Sequence, residues 1–492
     1  MLKRRSAGIL LHPTSFPGPF GIGDLGSEAY RFIDWLVMAK QHLWQVLPLG
    51  PTGFGDSPYQ TFSAFAGNPL LIAPDVLRDR GYLDARDLAV PPFPSHLVAF
   101  GPVIQWKQKL LQRAFAGFQQ QATFAALDTF IRQQQAWLPD YALFMALKEA
   151  HHGQPWWLWP APLRDGLPDA LARAREALRP AIRYHQFVQW LFFEQWRELR
   201  AYANQHDIRI IGDIPIYVAL DSADVWAQRH FFLFDDEARP TVVAGVPPDY
   251  FSPTGQLWGN PIYHWQRMAE DGFRWWIERI RANLQLYDSI RIDHFRGFYN
   301  YWTVPGNAKT AQFGQWLDGP REAFFDAVLA ALGDLPLIAE DLGAPDDGVF
   351  ALRDRYHLPG MKVLQFAWGE DASNAFLPHN YEHNCVVYTG THDNDTTRGW
   401  YEKASEHEKD YLRRYLRVDG HDVAWDLIRL AMASTAQWAI VPLQDCLNLG
   451  SDARMNAPAV ATGNWGWRYQ WRQFNSGMDA GLAELATLYG RA

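Results

Sequence analysis

The sequence predicts an α/β chain built as a (β/α)8 barrel. Two observations carry that expectation: eight short apolar, β-branched runs recur along the 492 residues, and amphipathic helical stretches separate them. In order the runs are AGILLHP (7–13), HLWQVLPLG (42–50), IRIIGDIPIYV (208–218), SIRIDHF (289–295), PLIAEDLG (336–343), MKVLQFAW (361–368), CVVYTGTHD (385–393) and WAIVPLQD (438–445). Near-continuous apolar runs suit strands buried on both faces, as parallel strands are. Between the first two, SEAYRFIDWLVMAKQ (27–41) has a helical period, with Ser27 as its N-cap and an acidic first turn. REAFFDAVLAALG (321–333) repeats the pattern and stops on Gly333.

The interval between residues 50 and 208 far exceeds one strand-to-helix crossover, and it is helix-rich, including ALARAREALRPAIRYHQFVQWLFFEQWRELRAYANQ (170–205). The expected organisation is a barrel start over 1–75, an inserted helical subdomain over 76–190, and the rest of the barrel over 191–492. Further loop insertions are expected between residues 218 and 289. There GVPPDYFSPTGQLWGNP (245–261) holds four prolines and three glycines, which exclude a helix and a regular strand and predict a surface loop. Its Tyr250, Phe251 and Trp258 are large aromatics for such a place: either they fold back into a core, or they await a flat, partly apolar ligand to stack on. Residues 446–492, after the eighth run, contain no all-β segment, so no C-terminal β domain is expected.

Composition narrows the function. Hydrophobic residues make up 48% and charged residues 20%, the balance of a folded globular protein. A formal charge of −9 argues against nucleic acid and anionic membranes as partners and favours a neutral or cationic ligand. Two cysteines, Cys385 and Cys446, lie in apolar runs, so no disulfide framework exists, as suits a reducing cytosol. The opening MLKRRSAGILLHP breaks at His12–Pro13, too early for a signal-peptide core, and no run approaches the roughly 18 apolar residues of a membrane helix. A cytoplasmic monomer is the expectation. The 23 tryptophans supply core, but aromatic plates are also how proteins hold the apolar faces of sugar rings.

In such barrels catalytic groups stand at the C-terminal ends of strands, and here those ends are loaded. The third run carries Asp213, the fourth Asp293–His294, the fifth Glu340–Asp341 and the seventh His392–Asp393. By the two-residue period of a strand, Ser289, Arg291 and Asp293 share the face that looks into the barrel, while Ile290 and Ile292 take the other. An arginine beside a carboxylate keeps it ionised, as a nucleophile requires. Any one such aspartate alone would read as a buried ion pair; four strand ends delivering acids to one rim would be costly without a task.

Crowded carboxylates bind metals or cleave glycosides. His294 and His392 beside aspartates give the metal reading its case, but a barrel metallohydrolase offers an H-x-H pair at its first strand. Here a single His12 precedes Pro13, so no metal site is expected. Glycoside chemistry needs what is present: one carboxylate to attack the anomeric carbon and another, with raised pKa, to protonate the leaving oxygen. Neighbouring fourth and fifth strands can bring such a pair to the roughly 5 Å of a retaining enzyme.

RIDHFRG with Arg291 and Asp293, Glu340 in IAEDLG, and THDND resemble the motifs of the α-amylase superfamily. SPYQTFSAFAGNP (57–69), GDIPIYV (212–218), the 245–261 segment and ARMNAPAVATGNWGWR (453–468) narrow the resemblance to the 4-α-glucanotransferase, or amylomaltase, family, over nearly the whole chain. That resemblance implies Asp293 as nucleophile, Glu340 as general acid/base and Asp393 as the third carboxylate, which grips ring hydroxyls and helps to keep Glu340 protonated. Asp395 is the alternative for the third role; Asp393 is preferred because it follows His392. The resemblance further implies Tyr59 stacked beneath the cleaved glucose, Asp213 and Arg291 ordering the carboxylates, His294 and His392 on hydroxyls, and Tyr250, Phe251 and Trp258 on the acceptor side. The implied activity is disproportionation or cyclisation of α-1,4-glucans and maltooligosaccharides without a cofactor. A hydrolase with the same acids, and a glucan-binding barrel without chemistry, are the alternatives.

Overall fold

The computed structural model describes residues 4–120, 123–248, 252–458, 460 and 462–492. Among these, the strands are β1 (Ser6–Leu10), β2 (Leu43–Gln45), β3 (Arg209–Pro215), β4 (Val242–Val246), β5 (Gln256–Pro261), β6 (Ser289–Asp293), β7 (Asn300–Pro305), β8 (Gln315–Asp318), β9 (Leu337–Ala339), β10 (Gly360–Val363), β11 (Cys385–Tyr388) and β12 (Trp438–Pro442). β1, β2, β3, β6, β9, β10, β11 and β12 form one eight-stranded parallel sheet in chain order, with β12 pairing back onto β1. The remaining seam, between β9 and β10, is bridged by the Ala339 N–H to the Pro359 carbonyl at 2.9 Å. Asp341 adds to it, accepting from the Met361 N–H at 2.8 Å while paired with Arg353 at 2.6 Å. Each of the eight apolar runs holds one barrel strand, so the (β/α)8 TIM barrel expected from the sequence is the fold observed.

The alternation of side chains explains the packing. Leu10, Leu43, Ile211, Ile338, Met361, Val386, Tyr388 and Ile440 fill the barrel interior, while Ile9, Trp44, Ile290, Ile292, Ala339, Val387 and Val441 join the larger core under the helices. Helices Ser27–Met38 and Arg321–Leu332 stand where the helical period placed them, and Gly333 ends the second with φ 79°. The N-cap of the first is Gly26 rather than Ser27, which is already helical and makes no capping bond. Gly212 in β3 has a packing reason: a Cβ there would lie 2.1 Å from the Tyr287 ring.

Between β2 and β3 the chain is helical, with Phe100–Phe118, Ala125–Gln133, Leu138–Ala150, Pro168–Ala177 and the long Arg179–Gln205, which runs unbroken through residue 190. This long helix packs on the insertion and on the barrel alike. Its buried Gln189 accepts from the Gly67 N–H at 2.7 Å and donates to the Gly67 carbonyl at 2.9 Å; Gln195 accepts from the Ala73 N–H at 2.7 Å. Two side-chain amides thus act as peptide surrogates for irregular backbone, one inside the 57–69 motif at Gly67 and one just beyond it at Ala73.

One expectation fails. Residues 245–261 are not all loop: β4 and β5 run antiparallel through them and join β7 and β8 in a four-stranded sheet of order β5-β4-β7-β8. The glycines and prolines sit where strands tolerate them. Pro261 closes β5, Pro247 and Pro248 follow β4, and Gly259, at φ 76°, occupies the register shift between Val243↔Pro261 and Gly245↔Leu257. That bulge turns Asn260 inward, where its amide donates to the Val218 carbonyl at 2.9 Å.

Candidate active site

The site grows from β3, β6 and β9, neighbours in the barrel. Asp213 and Arg291 are paired in register, and Arg291 faces the interior as the strand period requires. Its guanidinium is a bridge: Nη1 lies 2.6 Å from Asp213 Oδ2 and Nη2 lies 3.0 Å from Asp293 Oδ1. Burial works against the Arg291 charge, but the two aspartates outweigh it and hold the guanidinium protonated. Asp213 Oδ2 also accepts the Tyr59 hydroxyl at 2.8 Å. Burial pushes the Asp213 carboxyl up and Arg291 pulls it down; two donors converging on one oxygen fit the carboxylate form. The Asp293 side chain, 29% exposed, is the end of this chain that reaches the barrel mouth.

After Asp293 the chain reverses. His294 sits in the left-handed region at φ 55°, which aims its N–H at Glu340 Oε2, 2.7 Å away, while the Leu342 N–H reaches Oε1 at 3.0 Å. Burial lifts the Glu340 carboxyl well above the ordinary range, and the charges of Asp293 and Asp341 lift it further against the opposing pull of Arg291 and the His294 N–H. The principal charge acting to keep Glu340 protonated is therefore that of Asp293 on the next strand, rather than Asp393. Two carboxyl groups on adjacent strands occupy opposite environments, one on a guanidinium and one shut in without a paired cation among the described residues. Such a pair can divide nucleophilic and acid work.

Aromatic rings wall the mouth. Tyr59 stacks on His392 at 5.1 Å between centroids and 13° between planes. Trp465 stands 5.8 Å from Tyr59 and 6.0 Å from His392, held at φ 65°, a rare conformation for a bulky residue. Opposite, half-buried Trp258 on β5 meets His294 edge-on at 4.8 Å. Burial pushes His294 down to about 4 and lowers His392, so both imidazoles are neutral near pH 7 and offer hydrogen bonds to hydroxyl groups. Asp393 lies 3.4 Å from His392 Nε2, its side chain 45% exposed. The structure thus gathers Tyr59, Asp213, Trp258, Arg291, Asp293, His294, Glu340, His392 and Asp393 about one mouth; Tyr250 and Phe251 lie outside the described residues. Asp341, next to Glu340, points away to the β9–β10 seam. Among the described residues no group of three or more His, Cys, Asp or Glu is arranged to hold a metal ion.

Comparison with known proteins places this geometry. The family described as 4-alpha-glucanotransferase matches residues 11–474. The chain belongs to the 4-alpha-glucanotransferase family. It is 52% identical over 499 residues to the 4-alpha-glucanotransferase of Synechocystis sp., covering 100% of this chain and 99% of that one. It is 53% identical over 475 residues to the enzyme of that name from Thermus thermophilus, covering 94% of each. The solved amylomaltase of Streptococcus agalactiae in complex with acarbose superposes with a TM-score of 0.97 at 39% identity, over 99% of this chain and 100% of that one.

For a 4-alpha-glucanotransferase the two aspartates of HDND now differ sharply. Asp395 is 9% exposed and engaged by Lys403 Nζ at 2.6 Å and Ser451 Oγ at 2.8 Å, a structural anchor. Asp393 faces the mouth, and among the described residues no lysine or arginine side chain pairs with its carboxylate. Three further residues, Arg454, Asn456 and Trp465, carry no site signal in the sequence beyond their place in the 453–468 segment.

Proposed function

We propose that the chain disproportionates α-1,4-glucans by double displacement, with Asp293 as nucleophile and Glu340 as general acid/base. The Asp293 carboxylate attacks the anomeric carbon, the glycosidic C–O bond breaks, and the Glu340 proton passes to the leaving 4-oxygen. A second glucan's 4-hydroxyl then returns its proton to Glu340 as its oxygen displaces Asp293, restoring the α configuration. Asp393, His294 and His392 bind the hydroxyls of the reacting glucose, Tyr59 lies beneath its ring, and Trp258, with Tyr250 and Phe251, receives the acceptor. Long chains attacking themselves give cyclic products by the same step.

The observation that carries this reading is the Arg291 bridge from Asp213 to Asp293 beside a Glu340 held protonated by burial. A place in the cytoplasm as a monomer, without nucleic-acid or membrane partners, accords with the −9 charge, with two buried free cysteines, and with no helix long and apolar enough to cross a membrane among the described residues. Incubation with maltotriose tests the activity. Glucose plus a ladder of longer maltooligosaccharides is expected; glucose and maltose in equal amounts without longer products would mean hydrolysis instead.

A further inference from the structure

Asp393 is exposed at the mouth, yet a flexible loop carboxylate would be a poor clamp for a sugar. What fixes it comes from a distant part of the chain. The Asn456 amide Nδ2 donates to Asp393 Oδ1 at 2.6 Å, and the Asn456 backbone N–H donates to the His392 carbonyl at 3.1 Å. Arg454 straps both segments: Nη2 donates to the Asp393 carbonyl at 2.5 Å and Nε to the Asn456 carbonyl at 2.7 Å. The same stretch continues to Trp465, whose N–H donates to the Met455 carbonyl at 2.7 Å and whose ring backs Tyr59 and His392.

The chemistry of this clamp is selective. Two residues on, Asp395 is tied down by a lysine, the usual way to anchor a loop carboxylate. Asp393 receives an uncharged amide, and the nearby guanidinium of Arg454 goes to backbone carbonyls. The arrangement orients Asp393 through one oxygen without neutralising it, leaving the other oxygen and the negative charge to the substrate. An arginine or lysine in place of Asn456 would fix the loop equally well and cancel the charge.

We propose that Asn456, with Arg454 behind it, is a positioning residue for glucan transfer: it turns Asp393 toward the reacting glucose while preserving its charge. This rests on the reading of Asp393 as a sugar-gripping carboxylate. An alternative is that the contact only closes the loop, in which case its removal would lower stability and spare function.

A double-mutant cycle separates the two. Acarbose binding is measured by calorimetry for wild type, N456A, D393N and N456A/D393N, alongside maltotriose disproportionation and thermal unfolding. N456A is expected to weaken acarbose by roughly 10-fold and to lower kcat by on the order of 10- to 100-fold, with the unfolding midpoint nearly unchanged. In the D393N background N456A should add almost nothing, because its effect runs through the Asp393 carboxylate. R454K should reproduce a milder form of the same loss. Full affinity and kcat in N456A, or penalties that simply add in the double mutant, would overturn the proposal. Wild-type affinity and transfer in D393N would overturn the reading of Asp393 itself, and a wild type without disproportionation would sink the proposed function as a whole.

Discussion

Glu340 and Asp293 show how a few ångströms of environment divide chemically similar side chains. Asp293 shares a guanidinium with Asp213, whereas Glu340, among the described residues, takes only backbone N–H groups and lies beside the Asp293 charge. A general acid must be protonated, so kcat/KM should fall as pH rises through the Glu340 pKa. Because burial and the Asp293 charge raise that pKa, the basic limb should lie well above the roughly 4.3 of an ordinary glutamate. A donor whose leaving group needs no proton, such as α-maltosyl fluoride, should lose this limb in kcat/KM. E340A should fall by roughly 10²- to 10⁴-fold on maltotriose and much less on the fluoride. Equal losses on both donors would assign the acid elsewhere. Arg291, Asp293 and Glu340 were legible from strand period and strand ends. The opposite fates of Glu340 and Asp341 were not, since adjacent acids after a strand diverge by a turn that local sequence does not reveal.

At the scale of elements, strand ends do two jobs, and β9 shows both: Glu340 enters the mouth while Asp341 binds β10. The Asp341–Arg353 pair is nearly buried, with side-chain exposures of 4% and 10%. D341N keeps an acceptor for the Met361 N–H but removes the buried charge facing Arg353, which retains Asp354 at 2.7 Å, and should cost about 1–3 kcal/mol of stability, read by denaturant unfolding. A loss confined to a few tenths would show that the seam does not depend on the pair. The barrel strands were visible in the sequence because both their faces are buried and their runs are continuously apolar. The β4-β5-β7-β8 sheet was hidden for the converse reason: β8 reads QWLD and is largely exposed, while β5 carries Gly259 in its bulge. Composition that excludes a regular strand still permits a bulged edge strand.

Across the whole molecule the insertion supports the active site from behind. Gln189 and Gln195 on the Arg179–Gln205 helix hold backbone at Gly67 and Ala73, and that stretch follows the segment presenting Tyr59 to Asp213. Q189L would leave the buried Gly67 N–H and carbonyl without their partner, at about 1–3 kcal/mol. The expected result is a lower unfolding midpoint together with a raised KM for maltotriose, since Tyr59 shifts with its support. A lower midpoint with unchanged KM would mean that the insertion stabilises the barrel without shaping the site. Sequence length alone disclosed that an insertion exists; its glutamine ties, like Asn456 on Asp393, join residues too far apart in the chain for any local pattern to signal.

Double displacement requires the donor glucan to be carried covalently on Asp293 before transfer. Reaction of E340Q with α-maltosyl fluoride, followed by proteolysis and mass spectrometry, tests it most directly. The peptide spanning SIRIDHF should gain one maltosyl unit on Asp293, and added maltotriose should fail to release it quickly without the Glu340 base. A maltosyl group on Asp213, Asp393 or any other residue, or turnover of the fluoride by E340Q with no labelled peptide, would contradict double displacement through Asp293.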